Sequence, residues 1–198
     1  MIPTLPPHVR LVAVTKGRTS ADIENLIKQG VTWFGENRIQ EIQEKWPKLK
    51  DSYPHIKLQF IGRLQSNKAT MAVALCDSII SLDRPSLVDA VAEALTKNPK
   101  KMEFLVQVSL SGETQKGGVS PEKLGELLDY CRTKGLTING LMTIPPLECD
   151  PKPIFRKLYE LCAQYHLKEI SMGMSDDYED AIREGATQVR IGRALFEK

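Results

Sequence analysis

Eight times along this chain a short run of strand-forming residues is followed by a helical stretch, and that alternation constrains the fold more than any other feature. The first run, Val9-Arg10-Leu11-Val12-Ala13-Val14-Thr15, has the continuous apolar and β-branched character of a strand buried on both faces. Lysine and glycine, Lys16-Gly17, end it abruptly. Ser20 then reads as a helix cap, with Ile23, Leu26 and Ile27 as an apolar stripe and Gly30 as the stop. Further strand signals fall at residues 32–36, 56–62, 77–82, 104–108, 136–144, 168–172 and 188–192. The helical stretches between them run over residues 38–46, stopped by Pro47, then 67–76, 86–97, 120–135 with Ser120-Pro121 as a strong start, 153–166 and 177–184, and a short closing helix begins at Ala194.

Eight strand-then-helix units at a period of about 25 residues, sharing no repeated sequence, predict a closed (β/α)₈ barrel of the TIM type. The alternative is an open Rossmann-like sheet, but no Gly-x-Gly-x-x-Gly follows any strand signal. A length of 198 residues suffices for one core and is at the small end for a barrel, so residues 1–198 are read as a single domain.

Composition excludes several function classes. The net charge of +2, from 27 basic and 25 acidic residues, gives no global field for nucleic acid or an anionic membrane, so any anion must be met locally. The four cysteines, Cys76, Cys131, Cys149 and Cys162, lack Cys-x-x-Cys spacing, which argues for reduced, mostly buried thiols and against a disulfide framework or zinc site. Residues 1–8 carry three prolines and no signal-peptide pattern, and no stretch approaches the roughly 20 apolar residues of a membrane span. A cytoplasmic protein is expected. His8, His55 and His166 lie on loops or helix ends and support no Ser-His or Cys-His arrangement.

A barrel places chemistry at the C-terminal ends of its strands. Lys16 ends the first strand; it is either a solvated surface lysine or a mouth amine suited to Schiff-base formation. Asn37, after Phe34-Gly35-Glu36, either caps the next helix or meets a ligand, and Asn67-Lys68 opens a helix with the same ambiguity. The segment Ser171-Met172-Gly173-Met174-Ser175-Asp176-Asp177 puts glycine and serine before a helix start, and Arg190-Ile191-Gly192-Arg193 supplies a second such turn. These follow strands seven and eight, where barrel enzymes frequently bind phosphate, so the pair is read as an anion cradle. The polar loop at Glu113-Thr114-Gln115-Lys116 is either a plain solvated loop or a mobile rim in which Lys116 is a second amine near the mouth.

Six blocks now stand in order: Leu11-Val12-Ala13-Val14-Thr15-Lys16, Phe34-Gly35-Glu36-Asn37, Phe60-Ile61-Gly62-Arg63-Leu64-Gln65-Ser66-Asn67-Lys68, Gly140-Leu141-Met142-Thr143-Ile144-Pro145, Ser171-Met172-Gly173-Met174-Ser175-Asp176-Asp177 and Val189-Arg190-Ile191-Gly192. Together they resemble the YggS/PROSC family of pyridoxal phosphate homeostasis proteins, from Val9 to Phe196. The resemblance implies an alanine racemase-like barrel (pyridoxal phosphate fold type III) without that enzyme's C-terminal β domain. It also implies pyridoxal 5'-phosphate (PLP) bound covalently to Lys16 as an internal aldimine. By the same resemblance Ser175 and the backbone of Gly192 and Arg193 would bind the phosphate, Arg190 would face the pyridine nitrogen, and Asn37 and Met142 would line the ring. No catalytic residue and no metal is expected.

The implied role is storage, delivery or sensing of the cofactor in vitamin B6 and amino-acid balance, by a monomer without strong catalysis. Apoenzymes or a regulatory protein would be its partners, with neither nucleic acid nor membrane involved. The alternatives are a PLP-dependent racemase or deaminase, and a Schiff-base aldolase that uses no cofactor; Tyr130, Tyr159 and Tyr178 fall on helical stretches, away from the role of a racemase acid. The sequence departs from the family pattern at Thr15, Gly17-Arg18, Gln59 and Arg193, and in the Pro-rich stretch at residues 2–7 where members usually begin with an amphipathic helix.

Overall fold

Strand β1 (Arg10–Val14) pairs in parallel with β2 (Trp33–Glu36) on one side and with β8 (Gln188–Ile191) on the other, so the sheet has no free edge. This is seen in a computed structural model that describes residues 2–110, 117–146 and 149–196. Between them run β3 (Lys57–Phe60), β4 (Ser78–Leu82), β5 (Glu103–Gln107), β6 (Gly140–Met142) and β7 (Glu169–Ser171), in chain order around a closed barrel. The helices are α1 (Ser20–Lys28), α2 (Ile39–Ser52), α3 (Ala69–Leu75), α4 (Pro85–Lys97), α5 (Pro121–Thr133), α6 (Lys152–Gln164), α7 (Tyr178–Arg183) and α8 (Arg193–Phe196), with a 3₁₀ turn (Ser66–Lys68) before α3.

Several expected boundaries move: the strand signal at 136–144 contracts to β6, the helix expected over 67–76 starts at Ala69 behind the 3₁₀ turn, and two further shifts have a visible cause. Helix α1 is capped by Thr19 and not by Ser20: Asp22 N–H donates to Thr19 Oγ1 at 3.2 Å while Thr19 N–H donates to Asp22 Oδ2 at 2.9 Å. That reciprocal box outcompetes a lone serine one position on. Helix α2 runs through Pro47 to Ser52. The proline costs one backbone hydrogen bond, but Trp46 and Leu49 on either side are buried and Lys50 reaches Asp77 Oδ2 at 2.6 Å, so packing holds the last turn.

The strand pleat sorts side chains into two cores. Ala13, Phe34, Leu58, Phe60, Ile79, Val106, Leu141 and Ile191 face the helices and belong to one large apolar cluster. The lumen holds a small one, Ile80, Leu105 and Met142 with Ile61 and Ile144. Below it the lumen is polar. Gln188 Nε2 donates to Gln59 Oε1 (2.8 Å) and to Ser171 Oγ (2.7 Å), Gln59 Nε2 donates to Ser78 Oγ (3.2 Å), and Arg10 pairs with Glu103 at 2.9 Å. Burial of Gln59, Ser78, Ser171 and Gln188 is tolerable because each of the four finds a partner.

Candidate functional site

The same pleat that sends Leu11 and Ala13 toward the helices turns Val12, Val14 and then Lys16 toward the lumen and its mouth. Lys16 lies two residues beyond β1 and is solvent-exposed. Its neighbours are fixed on the other face. Thr15 Oγ1 donates to Glu36 Oε1 at 2.8 Å, and Lys45 Nζ donates to the same oxygen (2.7 Å), to Glu41 Oε2 (2.9 Å) and to the Thr15 carbonyl (3.2 Å). Gly17 N–H donates to Glu41 Oε2 at 2.7 Å, and Gly17 takes φ +69°, which favours glycine. Glu41 is desolvated, yet the Gly17 N–H and Lys45 hold its carboxyl below the ordinary value. Every residue flanking Lys16 is thus bolted to β2 or α2, while Lys16 itself projects from the turn.

Arg190 sits across the lumen floor. It is 4 % exposed; its Nη1 donates to Ser171 Oγ at 2.7 Å and its Nη2 to the Thr143 carbonyl at 2.8 Å. Burial pushes the guanidinium down to about 10, with Asp177 pulling the other way, so it stays charged at neutral pH. Met142, fully buried at the end of β6, forms apolar lumen wall beside it. Asn37 lies just past β2, with a buried Oδ1 that has no hydrogen-bond partner among the described residues.

The two turns read as an anion cradle come together at the closure of the barrel. Gly173 has φ +90°, and a Cβ there would lie 2.6 Å from Ala181 Cβ, so only glycine lets the turn after β7 close onto α7. Ser175 follows, with no partner for its hydroxyl among the described residues. Asp177 Oδ1 accepts from Met174 N–H at 2.6 Å and its carboxyl is raised by burial. Gly192, after β8, packs against Val14 of β1. The Arg193 side chain is ion-paired with Asp176, which ties α8 to the Ser175 turn.

The sequence did not point to Lys45, Glu41, Ser171 or the Thr143 carbonyl, which act through the groups above. Lys45 lies inside the helical stretch read over residues 38–46, but nothing local to it shows that its ammonium reaches Thr15 and Glu36. Lys116 and its loop lie outside the described residues. Tyr130 donates to Asp89 on the barrel exterior, Tyr159 is exposed on α6, and Tyr178 begins α7. Among the described residues no His, Cys, Asp or Glu group could hold a metal ion, and no helix is long and apolar enough to cross a membrane.

Residues 3–197 match the alanine racemase N-terminal domain family. A pyridoxal phosphate homeostasis protein of Aquifex aeolicus is 41% identical over 197 residues, covering 94% of this chain and 86% of the relative. Another from Synechocystis sp. is 42% identical and covers 99% and 94%. The chain belongs to the pyridoxal phosphate homeostasis protein family. Among solved structures similar to this family member, PipY of Synechococcus elongatus with PLP bound superposes with a TM-score of 0.88 at 35% identity, covering 97% of this chain and 94% of that one. Alanine racemase of Clostridium difficile shares the fold, with a TM-score of 0.74 at 14% identity over 53% of its own length. The expected alanine racemase-like barrel is therefore the observed one.

Proposed function

We propose that this protein binds PLP covalently through Lys16, as a Schiff base, and serves cofactor homeostasis and amino-acid balance by holding PLP more than by turning substrates over. The observation that carries this reading is Arg190. A guanidinium locked by Ser171 and the Thr143 carbonyl in the lumen, near a lysine and two glycine turns at one barrel mouth, suits a phosphorylated pyridine aldehyde. The donor set fits: an amine, an unpartnered Ser175 hydroxyl and the Gly192-Arg193 backbone for the phosphate, and Asn37 and Met142 for the ring.

When bound, PLP supplies an electron sink whose strength depends on the protonation of its ring nitrogen. Arg190 is a fixed cation with no acceptor to offer, so beside that nitrogen it disfavours the protonated ring and weakens the sink. That favours a carrier. In this reading residues 1–198 act as one cofactor-binding domain, a cytoplasmic monomer that passes PLP to apoenzymes or engages a regulatory protein.

Titration of the purified protein with PLP, followed by visible absorbance, tests the proposal. The wild type should develop the band of a lysine-bound cofactor at one equivalent, and Lys16→Ala should not. A protein that stays colourless contradicts it, and racemisation of alanine or serine well above the rate of free PLP would replace the carrier with an enzyme.

A further inference from the structure

The segment 62–68, one of the most distinctive in the sequence, has no part in the cofactor site. Its first residue explains its path: a Cβ on Gly62 would lie 2.5 Å from the Asn37 carbonyl oxygen and 2.8 Å from Asn37 Cα, so only glycine lets the loop after β3 lie against the turn after β2. Between the two turns is a cleft of about 530 Å³, floored by the buried Ile39, Phe60 and Leu64. Arg38 stands on one wall, Arg63 and Lys68 on the other, and Arg84 also lines the cleft, which has no carboxylate among its lining residues. Four cations around one concavity are a local concentration in a chain whose net charge is only +2.

Arg84 is already committed. Its Nη1 donates to Asp83 Oδ1 at 2.5 Å and its Nη2 to the Leu64 carbonyl at 2.8 Å, which fixes the loop. Arg38, Arg63 and Lys68 make no hydrogen bond or ion pair through their side chains among the described residues. Asn37 also lines the cleft, and its buried Oδ1 has no hydrogen-bond partner among the described residues. The cleft lies at β2 and β3, separated by β1 from the Ser175 and Gly192 turns.

We propose that this cleft is a second anion site, taking the phosphate group of a small phosphomonoester. A volume of this size suits one small ligand and not an extended polyanion. A single guanidinium can serve a carboxylate in bidentate fashion, whereas three cations that make no side-chain hydrogen bond or ion pair among the described residues match a dianion with three terminal oxygens. The cations that carry the site, Arg38, Arg63 and Lys68, are not among the residues assigned to the cofactor, so it does not depend on the cofactor reading.

The test is a ¹H–¹⁵N NMR titration of the full chain with inorganic phosphate, with chloride at matched ionic strength and succinate as controls. Saturating shifts of the Gln65 and Ser66 amides are expected with phosphate, with weaker binding of succinate. The combined variant Arg63→Ala, Lys68→Ala should weaken that response at least tenfold while the Ser175 and Gly192 amides respond as before. Arg38→Ala, on the opposite wall, should weaken it too and serves if the double variant does not fold. Absence of saturable shifts at Gln65 and Ser66, equal effects of chloride or succinate, or unchanged affinity in these variants would overturn the proposal.

Discussion

Thr15 and Glu36 are joined by a 2.8 Å hydrogen bond from the Thr15 hydroxyl to Glu36 Oε1, on the outer face of the sheet where β1 and β2 end. The bond ties the residue before Lys16 to a carboxylate that is fully buried. Lys45, with a side chain only 11% exposed, supplies the cation that makes this burial tolerable, and it also holds the Thr15 carbonyl.

Lys45→Met should therefore cost about 3 kcal/mol, because it leaves the Glu36 carboxylate buried without its cation. Adding Glu36→Gln should recover a large part of that loss. Urea denaturation of the wild type, the single variant and the double variant measures both; an unchanged midpoint in Lys45→Met would mean the cluster carries no stability.

Glu41 gives a pH signature to the same cluster. Its folded-state carboxyl is held below the ordinary glutamate value of 4.5, so its contribution is complete above that pH and is lost as pH falls through the lowered value. Stability should decline with acidification below about pH 4.5, and Glu41→Gln should flatten that part of the curve. A parallel decline in the variant would assign the effect to other carboxylates.

Two left-handed glycines should behave differently. At Gly30, φ +91°, an added Cβ meets nothing within 4 Å, so Gly30→Ala should cost only backbone strain, about 1 kcal/mol. At Gly173, φ +90°, the Cβ would also collide with Ala181, so Gly173→Ala should cost roughly 2 kcal/mol more and disturb the turn that carries Ser175. Equal losses at the two positions in thermal unfolding would refute the packing argument.

Thiol chemistry reports on the packing between barrel and helices. Burial pushes Cys76 and Cys162 up to about 12 and Cys131 to about 11, whereas Cys149 is exposed. The folded protein at pH 8 should titrate one thiol rapidly with Ellman's reagent, and four after denaturation. Two or more fast thiols in the folded protein would show that a helix layer is looser than described.

Much of the fold was legible in the sequence because a buried parallel strand followed by an amphipathic helix leaves local marks, and eight such pairs close one way. Lys16, Ser175 and Gly192 stand where those marks stop, at strand ends, so their candidacy could be read from position. Partnerships could not. That Ser171 and the Thr143 carbonyl hold Arg190 depends on the register between β6, β7 and β8, that Lys45 reaches back to Thr15 depends on how α2 packs against the ends of β1 and β2, and that α2 continues past Pro47 is a tertiary effect as well. Tertiary burial of Trp46 and Leu49 overrode the local stop signal there. The cap of α1 moved for a local reason, since Thr19 with Asp22 completes a box that Ser20 cannot.

The most direct measurement of the central claim is peptide mapping after the PLP-loaded protein is reduced with borohydride. A single pyridoxyl-modified lysine, Lys16, is expected, and none in Lys16→Ala. Modification centred on another lysine such as Lys45 or Lys68, or equal modification in the variant, would contradict it.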